Sequence, residues 1–293
     1  AGLYFEASVC GAIPIISALR GPLQSSDITT LIGIVNGTTN YILSRMSAGG
    51  EDYATVLKDA QALGLAEPNP STDVEGLDAA YKLSILASLA FHGRVPFSAV
   101  YREGITGISA FDIACGHELG YTLKLLAIAR RSGGSVEVRV HPAFLPDSHP
   151  LSMVSGSFNA VYLQGHACRE MMFQGRGAGD APTASAIVAD ILSAAEGHHS
   201  RPNFPVTEAA DPAFTITDNW RTRYYVRFTA QDRPGVLSEL AGCLASEGVS
   251  IQSMVQKNGR EGDAVPLVLI THEAPEQAIQ RAQIGRASCR ERV

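Results

Sequence analysis

Glu67, Asp73, Asp78 and Lys82 cluster in sequence around a turn containing Pro68, Asn69 and Pro70. Three carboxylates and an ammonium at the edge of an apolar segment suit acid–base chemistry. A carboxylate can hold a cationic group or orient a hydroxyl. A lysine that loses part of its water has a lowered pKa and exchanges protons near neutrality. Asp78 and Lys82 are four apart, so on a helix they share a face. The bland reading of such a spacing is a surface ion pair worth roughly 0.3–0.5 kcal/mol. The same face continues through Ile85, Leu86 and Leu89, which counts against that reading, because charges beside a core are rare unless paired or functional.

The elements that must position these groups follow from local signals. Asp52 to Leu63 predicts a helix ended by Gly64 as a left-handed cap. Pro68 and Pro70 hold the next turn extended. A second helix is expected from near Gly76 to Phe91, with Tyr81, Ser84, Ser88 and His92 on its polar face. Earlier in the chain, Ile28 to Val35 reads as an apolar strand. It opens a helix through Asn36-Gly37-Thr38-Thr39-Asn40, with Thr38 or Thr39 as the N-cap. Val136 to Val140 and Phe158 to Leu163 alternate as strands. Gly120 to Ala129 predicts an amphipathic helix, and its Lys124 reads as a snorkelling or structural charge.

Gly175 to Thr183 is a glycine-rich loop ahead of a helix from Pro182 to Ala195. Free N–H groups at that helix start favour an anion. The loop lacks the Gly-x-Gly-x-x-Gly order of a dinucleotide fingerprint, and read alone it is only a turn. Phe5 to Ile16, read alone, is a tight turn that needs Gly11 and Ala12. Residues 199–220 carry Pro202, Pro205 and Pro212 without periodicity and read as a linker, and His198-His199 reads as loop. Beyond it, strands are expected at Tyr224 to Thr229, Val249 to Gln256 and Ala264 to Thr271. Helices are expected from the Asp232-Arg233-Pro234-Gly235-Val236-Leu237 turn to Glu247 and from Pro275 onward. The order βαββα is one strand short of a ferredoxin-like unit.

The spacing Ala60-x3-Gly64-Leu65-Ala66, the Asn69-Pro70 pair, Asp73-Val74-x-Gly76-x-Asp78 and Lys82 resemble the signature of the homoserine dehydrogenase family. Asn69 stands where the family more often has Asp. The resemblance implies that Glu67 and Asp78 bind an amino-acid substrate, with Asp73 in the same polar pocket. Lys82 would donate and accept the proton at the substrate oxygen. Phe5 to Ile16 resembles the segment leaving the family's nucleotide domain. There a monovalent cation such as sodium would sit on Glu6 and the carbonyls of Val9, Gly11 and Ile13, and hard oxygen ligands suit it. Asn36 to Asn40 resembles the family's Asn-Gly-Thr-x-Asn turn, which implies Thr38 at the nicotinamide pocket. The glycine-rich loop implies Gly177 against NADP or NAD. The C-terminal unit resembles an ACT domain. Such domains pair edge to edge and bind amino acids near the turn of Asp232, Pro234 and Gly235, with feedback by threonine implied here.

The expected fold class is therefore α+β: a mixed sheet covered by helices, then a ferredoxin-like βαββαβ ACT unit, with most of the Rossmann domain absent. Residues 1–20 are expected to be the end of a nucleotide-binding domain, 21–198 the catalytic and dimerisation domain, and 199–220 the linker. Residues 221–283 are expected to be an incomplete regulatory unit. Residues 284–293 have no family counterpart and resemble a translated sequencing adapter. The implied activity is reversible, NAD(P)-dependent interconversion of L-homoserine and L-aspartate 4-semialdehyde, serving threonine, methionine and isoleucine biosynthesis, in a homodimer or homotetramer. The chain alone is expected to be inactive. One rival is an amino-acid sensor with a degenerate dehydrogenase half, disfavoured by retention of every acidic group and Lys82. Another is a dehydrogenase for a related amino-acid semialdehyde. A fused aspartate kinase is disfavoured, because the family's bifunctional members carry their regulatory modules ahead of the dehydrogenase.

Composition narrows the class further. The length of 293 residues suits more than one domain. A net charge of −6 without a basic stripe argues against nucleic acid. No apolar run is long enough to span a bilayer and no signal peptide is visible, so a cytoplasmic protein without a membrane partner is expected. The five cysteines are scattered without a Cys-x-x-Cys pair, so neither a disulfide frame nor zinc is indicated.

Overall fold

The computed structural model describes residues 2–197, 214–256, 264–284 and 290–292. By internal contacts the chain divides into two units, Ala1–Thr217 and Asp218–Val293. The His198-His199 pair, most of the expected linker and residues 285–289 of the tail lie outside the described residues.

In chain order the first unit contains α1 (Ile15–Arg20), β1 (Ile28–Ile34), α2 (Gly37–Gly49), α3 (Tyr53–Ala62), α4 (Ser71–Val74) and α5 (Leu77–Ala90). There follow β2 (Tyr101–Arg102), α6 (Ala110–Glu118), β3 (Tyr121–Ser132), β4 (Ser135–Pro146), β5 (Phe158–Gly165), β6 (Arg169–Arg176), α7 (Asp180–Ala195) and β7 (Thr215–Thr217). The sheet order is β4-β3-β1-β5-β6, all antiparallel, and β2 and β7 both pair parallel with β4. The sheet is therefore mixed, as expected. β1 lies inside it, with Leu31 opposite Ala129 on one side and Leu163 on the other.

Gly120 to Ala129 is not a helix. It is the first part of β3, which pairs with β4 from Tyr121↔Pro146 to Ser132↔Ser135 across a Gly133-Gly134 turn. The reason is burial on both faces. Leu123 to Ala129 are all buried, so the run has no period-two alternation to reveal a strand. Lys124 is likewise not a snorkelling charge; it is 3% exposed.

α5 packs against β4, β3 and β1, and α2 against β3 and β5. On α5 the buried face includes Leu83, Leu86 and Leu89. Burial of each leucine contributes about 2 kcal/mol. Tyr81 on the expected polar face is exposed, but Ser88 is buried. Its hydroxyl donates to Ser84 O at 2.6 Å and accepts from Val95 N at 3.0 Å, so it fastens the chain after the helix instead of facing water.

The second unit contains β8 (Arg221–Thr222), β9 (Tyr224–Gln231), α8 (Val236–Ser246), β10 (Ile251–Gln256), β11 (Ala264–Thr271), β12 (Ala274–Pro275), α9 (Glu276–Ile284) and β13 (Arg290–Arg292). Its antiparallel sheet runs β10-β11-β9, and β13, near the C-terminal end of the chain, pairs with β9. Strand order and helix placement are those of a ferredoxin-like unit. Tyr224, Val226, Leu240, Leu244, Leu267, Leu269 and Ile279 form its core. No helix among the described residues is long and apolar enough to cross a membrane.

Candidate functional site

The site is built where β1 ends. Its last residues run through Val35 into Asn36, whose extended backbone makes it the N-cap of α2. Asn36 Oδ1 accepts from Thr39 N and from Thr39 Oγ1, each at 2.9 Å. The cap is thus Asn36, and neither Thr38 nor Thr39; Asn is among the best residues for this role. Thr38 instead donates its hydroxyl to Leu65 O at 2.8 Å.

The other end of the Asn36 amide reaches the carboxylates. Nδ2 donates to Asp73 Oδ1 at 2.7 Å and to Asp78 Oδ2 at 2.9 Å. Asp73 comes from the single turn of α4, and Asp78 from the first turn of α5. Gly76 joins the two helices at φ 76°, a left-handed conformation that favours glycine. One turn further along α5, Lys82 Nζ donates to Asp78 Oδ2 at 2.7 Å and to Val35 O at 3.0 Å. Asp73, Asn36, Asp78, Lys82 and Val35 are thus one hydrogen-bonded chain.

Asn36, Asp73, Asp78 and Lys82 line a cleft of about 630 Å³ together with Thr38, Glu67, Ser157, Asn159 and the loop Arg176 to Gly179. The structure therefore brings Glu67, Asp73, Asp78, Lys82, Thr38 and Gly177 to one cleft. Glu67 is exposed there, and its carboxylate makes no hydrogen bond among the described residues. Gly177 is packed so closely that a Cβ on it would lie 2.1 Å from Asn159 Cγ. Asn159 is 1% exposed, and its Oδ1 has no hydrogen-bond partner among the described residues.

Glu6, Val9, Gly11 and Ile13 do not line the cleft. They sit behind the glycine loop, joined to it by Ala12 N donating to Arg176 O at 3.2 Å. Glu6 is buried, and its carboxylate accepts from Ile16 N at 2.9 Å, Ser17 N at 2.8 Å and the Ser17 hydroxyl, at the start of α1. Among the described residues no group of three or more His, Cys, Asp or Glu could hold a metal.

Three residues of this region escaped the sequence reading as functional candidates. Asn36 was visible as part of a helix start, but its contact with Asp73 and Asp78 is tertiary. Arg176 lines the cleft with its guanidinium 5.2 Å from the Phe158 ring centroid. Cys10 is buried nearby. Burial pushes its thiol up to about 11 despite the Lys82 charge and a hydrogen bond with Asn159, so it is a neutral packing group and no nucleophile.

In the second unit, a cleft of about 440 Å³ is lined by Asp232, Arg233, Pro234, Gly235, Gln256 and Leu267, among others. It contains all three residues expected at an effector site. Gly235, at φ 92°, is the N-cap residue of α8. Asp232 Oδ1 accepts from Gln256 Nε2 at 3.1 Å.

Comparison with known proteins decides the family. The family model for homoserine dehydrogenase matches residues 14–192. The chain belongs to the homoserine dehydrogenase family. A second model, the ACT domain, matches residues 224–283. Homoserine dehydrogenase of Corynebacterium glutamicum is 43% identical over 95% of this chain and 64% of its own length. The crystal structure of a homoserine dehydrogenase from Thiobacillus denitrificans superposes with TM-score 0.87 at 43% identity, covering 95% of this chain and 65% of that one. A hyperthermophilic archaeal homoserine dehydrogenase in complex with NADPH gives TM-score 0.59 at 30% identity, covering 69% and 58%. The chain thus spans somewhat less than two thirds of the relatives it matches.

Proposed function

We propose that this homoserine dehydrogenase chain takes part in NAD(P)-dependent interconversion of L-homoserine and L-aspartate 4-semialdehyde. The observation that carries this reading is Lys82, held by Asp78 and by the Val35 carbonyl, in the lining of a cleft in a chain of this family. The cleft is lined by three carboxylates, Glu67, Asp73 and Asp78, against two cations, Lys82 and Arg176, so one negative charge is left over. That surplus suits a substrate that carries its own ammonium group. In the oxidative direction Lys82 takes the proton of the substrate hydroxyl; in the reductive direction it returns one to the carbonyl oxygen. Asp78 and the Val35 carbonyl orient Nζ for both steps, which is a general acid–base role worth about 10²–10⁴ in rate.

A nicotinamide cofactor, NADP or NAD, would supply the hydride acceptor and donor when bound. The residues present fit such a group. Gly177 lets the loop close on Asn159 at the cleft, α7 starts beside it with no side-chain cap on its first N–H groups, and Oδ1 of Asn159 has no hydrogen-bond partner among the described residues. The archaeal relative with NADPH supports the same reading. By family resemblance a monovalent cation would sit on Glu6 and the main-chain oxygens of Val9, Gly11 and Ile13, with the Glu6 carboxylate also holding Ile16 N and Ser17 at the start of α1. The carbonyls of Val9 and Gly11 accept no hydrogen bond among the described residues, although Ile13 O already accepts from Ile15 N at 2.7 Å. One carboxylate among neutral oxygens suits a single positive charge.

In the same reading residues 21–198 are the catalytic and dimerisation domain. Residues 221–283 are a regulatory unit that binds an amino-acid effector, threonine by family resemblance, at Asp232, Pro234 and Gly235. The assembly is a homodimer or homotetramer in the cytoplasm. The test is nicotinamide absorbance with L-homoserine, using the product of the full open reading frame beside its Lys82→Ala variant. Turnover lost in the variant supports both the reaction and the proton role. No turnover with homoserine or related amino alcohols, with amino-acid binding retained by the second unit, would replace this reading by that of a sensor.

A further inference from the structure

Asn36 has an amide whose two ends do different work. Oδ1 accepts from the Thr39 N–H and hydroxyl, while Nδ2 donates to both Asp73 and Asp78. The amide can sit only one way round. Flipping it would set an oxygen against two carboxylates and an NH2 group against an N–H. Asn36 is 6% exposed, so most of its amide faces protein groups. Both carboxylate oxygens are within hydrogen-bond distance of the same nitrogen, and Asp78 Oδ2 is also the acceptor for Lys82. The donor is neutral. It joins two like charges without cancelling either, which a lysine or arginine at this place would do.

We infer that Asn36 is the positioning residue of the site: it yokes Asp73 to Asp78, and through Asp78 it sets the position and proton affinity of Lys82. The inference rests on the dehydrogenase reading only for the identity of the reaction. The charged groups facing Lys82 are Asp78 from its own helix and Asp73 from α4. Cys10 approaches from the segment before α1, and Glu67 and Arg176 lie along the cleft. Asn36 is the neutral residue that holds the first two together. The coupling is available because the capping position of α2 and the end of β1 are the same short stretch of chain. A substitution there is read by the helix and by the site together, and a variant that keeps the cap separates the two roles.

Asn36→Asp is that variant. Aspartate still caps α2 through a side-chain oxygen. It replaces the shared donor by a further carboxylate facing Asp73 and Asp78. Added negative charge beside Lys82 favours its protonated form. The pH at which Lys82 becomes reactive should therefore rise by about one pH unit. Trace acetylation of the full chain across pH, read on the Lys82 peptide by mass spectrometry, measures this without any need for turnover. In the oxidative reaction the rising limb of kcat against pH should move up by the same amount, and kcat at neutral pH should fall about tenfold, since a unit change is a tenfold change in the free base. Asn36→Ser also keeps a capping oxygen but adds no charge. It should lower kcat with little movement of the limb, and it serves if the Asp variant does not fold. A purely structural residue would change thermal stability and leave the Lys82 midpoint where it is. An unchanged midpoint and limb in folded Asn36→Asp, or wild-type kcat in Asn36→Ser, overturns the inference. If the midpoint moves while wild type has no turnover with homoserine, the inference stands and the assigned reaction fails.

Discussion

Lys82 Nζ stands 3.0 Å from the main-chain oxygen of Val35, so the peptide that follows β1 fixes the ammonium near the head of α5. A backbone carbonyl cannot rotate away as a side chain can. The expected consequence is a lysine with one preferred position and a small cost of reorganisation during proton transfer.

Replacing Lys82 by Ala should therefore affect chemistry more than affinity. We expect kcat for homoserine oxidation to fall by about 10²–10⁴ and KM to change far less. The pair with Asp78 is partly exposed, with side-chain accessibilities of 18% and 27%, so its loss should cost stability only about 1 kcal/mol or less. Steady-state kinetics and a thermal melt on the same preparation check both. A variant with near wild-type kcat would remove Lys82 from the proton path.

Gly177→Ala places a methyl group 2.1 Å from the Asn159 amide. Asn159 is buried and cannot swing into water, so the loop from Arg176 to Gly179 must move. Overpacking of this kind costs about 1–3 kcal/mol. Binding of NADPH, followed by its fluorescence, should weaken at least tenfold. Gly107→Ala, whose Cβ meets nothing within 4 Å, is the control. Equal affinity in the two variants would show that the loop does not contact the cofactor.

Lys124 Nζ donates to Val154 O at 2.6 Å and to Asn40 Oδ1 at 3.2 Å, both neutral acceptors. Burial lowers its pKa from 10.5 to about 8. Between these two values the unfolded chain holds a proton that the folded chain has released, so raising the pH stabilises the fold. This is opposite to a lysine paired with a carboxylate. Relative to Lys124→Met, the wild type should gain up to about 3 kcal/mol between pH 7.5 and pH 10.5. Urea unfolding at the two pH values measures the gain. A difference between the proteins that does not vary with pH would mean that Lys124 stays charged in the fold.

Gly235 takes φ 92° at the turn into α8, on the wall of the second unit's cleft. A valine there is strained by about 1–2 kcal/mol and shifts the Asp232–Gln256 contact. Calorimetric titration with L-threonine should give heat with the wild type and little with Gly235→Val. Silence in both would leave threonine without a site on this unit.

Much of the fold was legible in the residues, and the exceptions have physical causes. The strand from Ile28, the helices around Gly64 and Gly76 and the βαββα order carry local signals of apolar run, cap and turn, and the structure follows them. Gly120 to Ala129 did not, because a strand buried on both faces loses its alternation, and Leu, Lys and Ala favour a helix. For Lys124 the residues leave a snorkelling and a structural charge open, because nothing local shows that Asn40 and Val154 come from elsewhere to receive it; the structure makes it the structural one. At the site, Asp78 and Lys82 could be paired from their spacing. The bridge from Asn36 could not, since its partners lie beyond the next two helices in the chain.

The placement of β1 between β3 and β5 also sets the order of events when the chain folds. β3 with β4 and β5 with β6 are hairpins whose strands are close in sequence, and each can zip alone. β1 is made long before either, and both of its edges must wait for strands that have not yet been synthesised. Its Leu31, Ile32 and Ile34 are exposed to solvent meanwhile, in a segment prone to wrong pairing. The acid–base groups depend on the placement of that strand, because Val35 and Asn36 are its continuation. The Asp78–Lys82 pair lies within one helix, but its tie to Val35 and Asn36 exists only where that helix meets the end of β1.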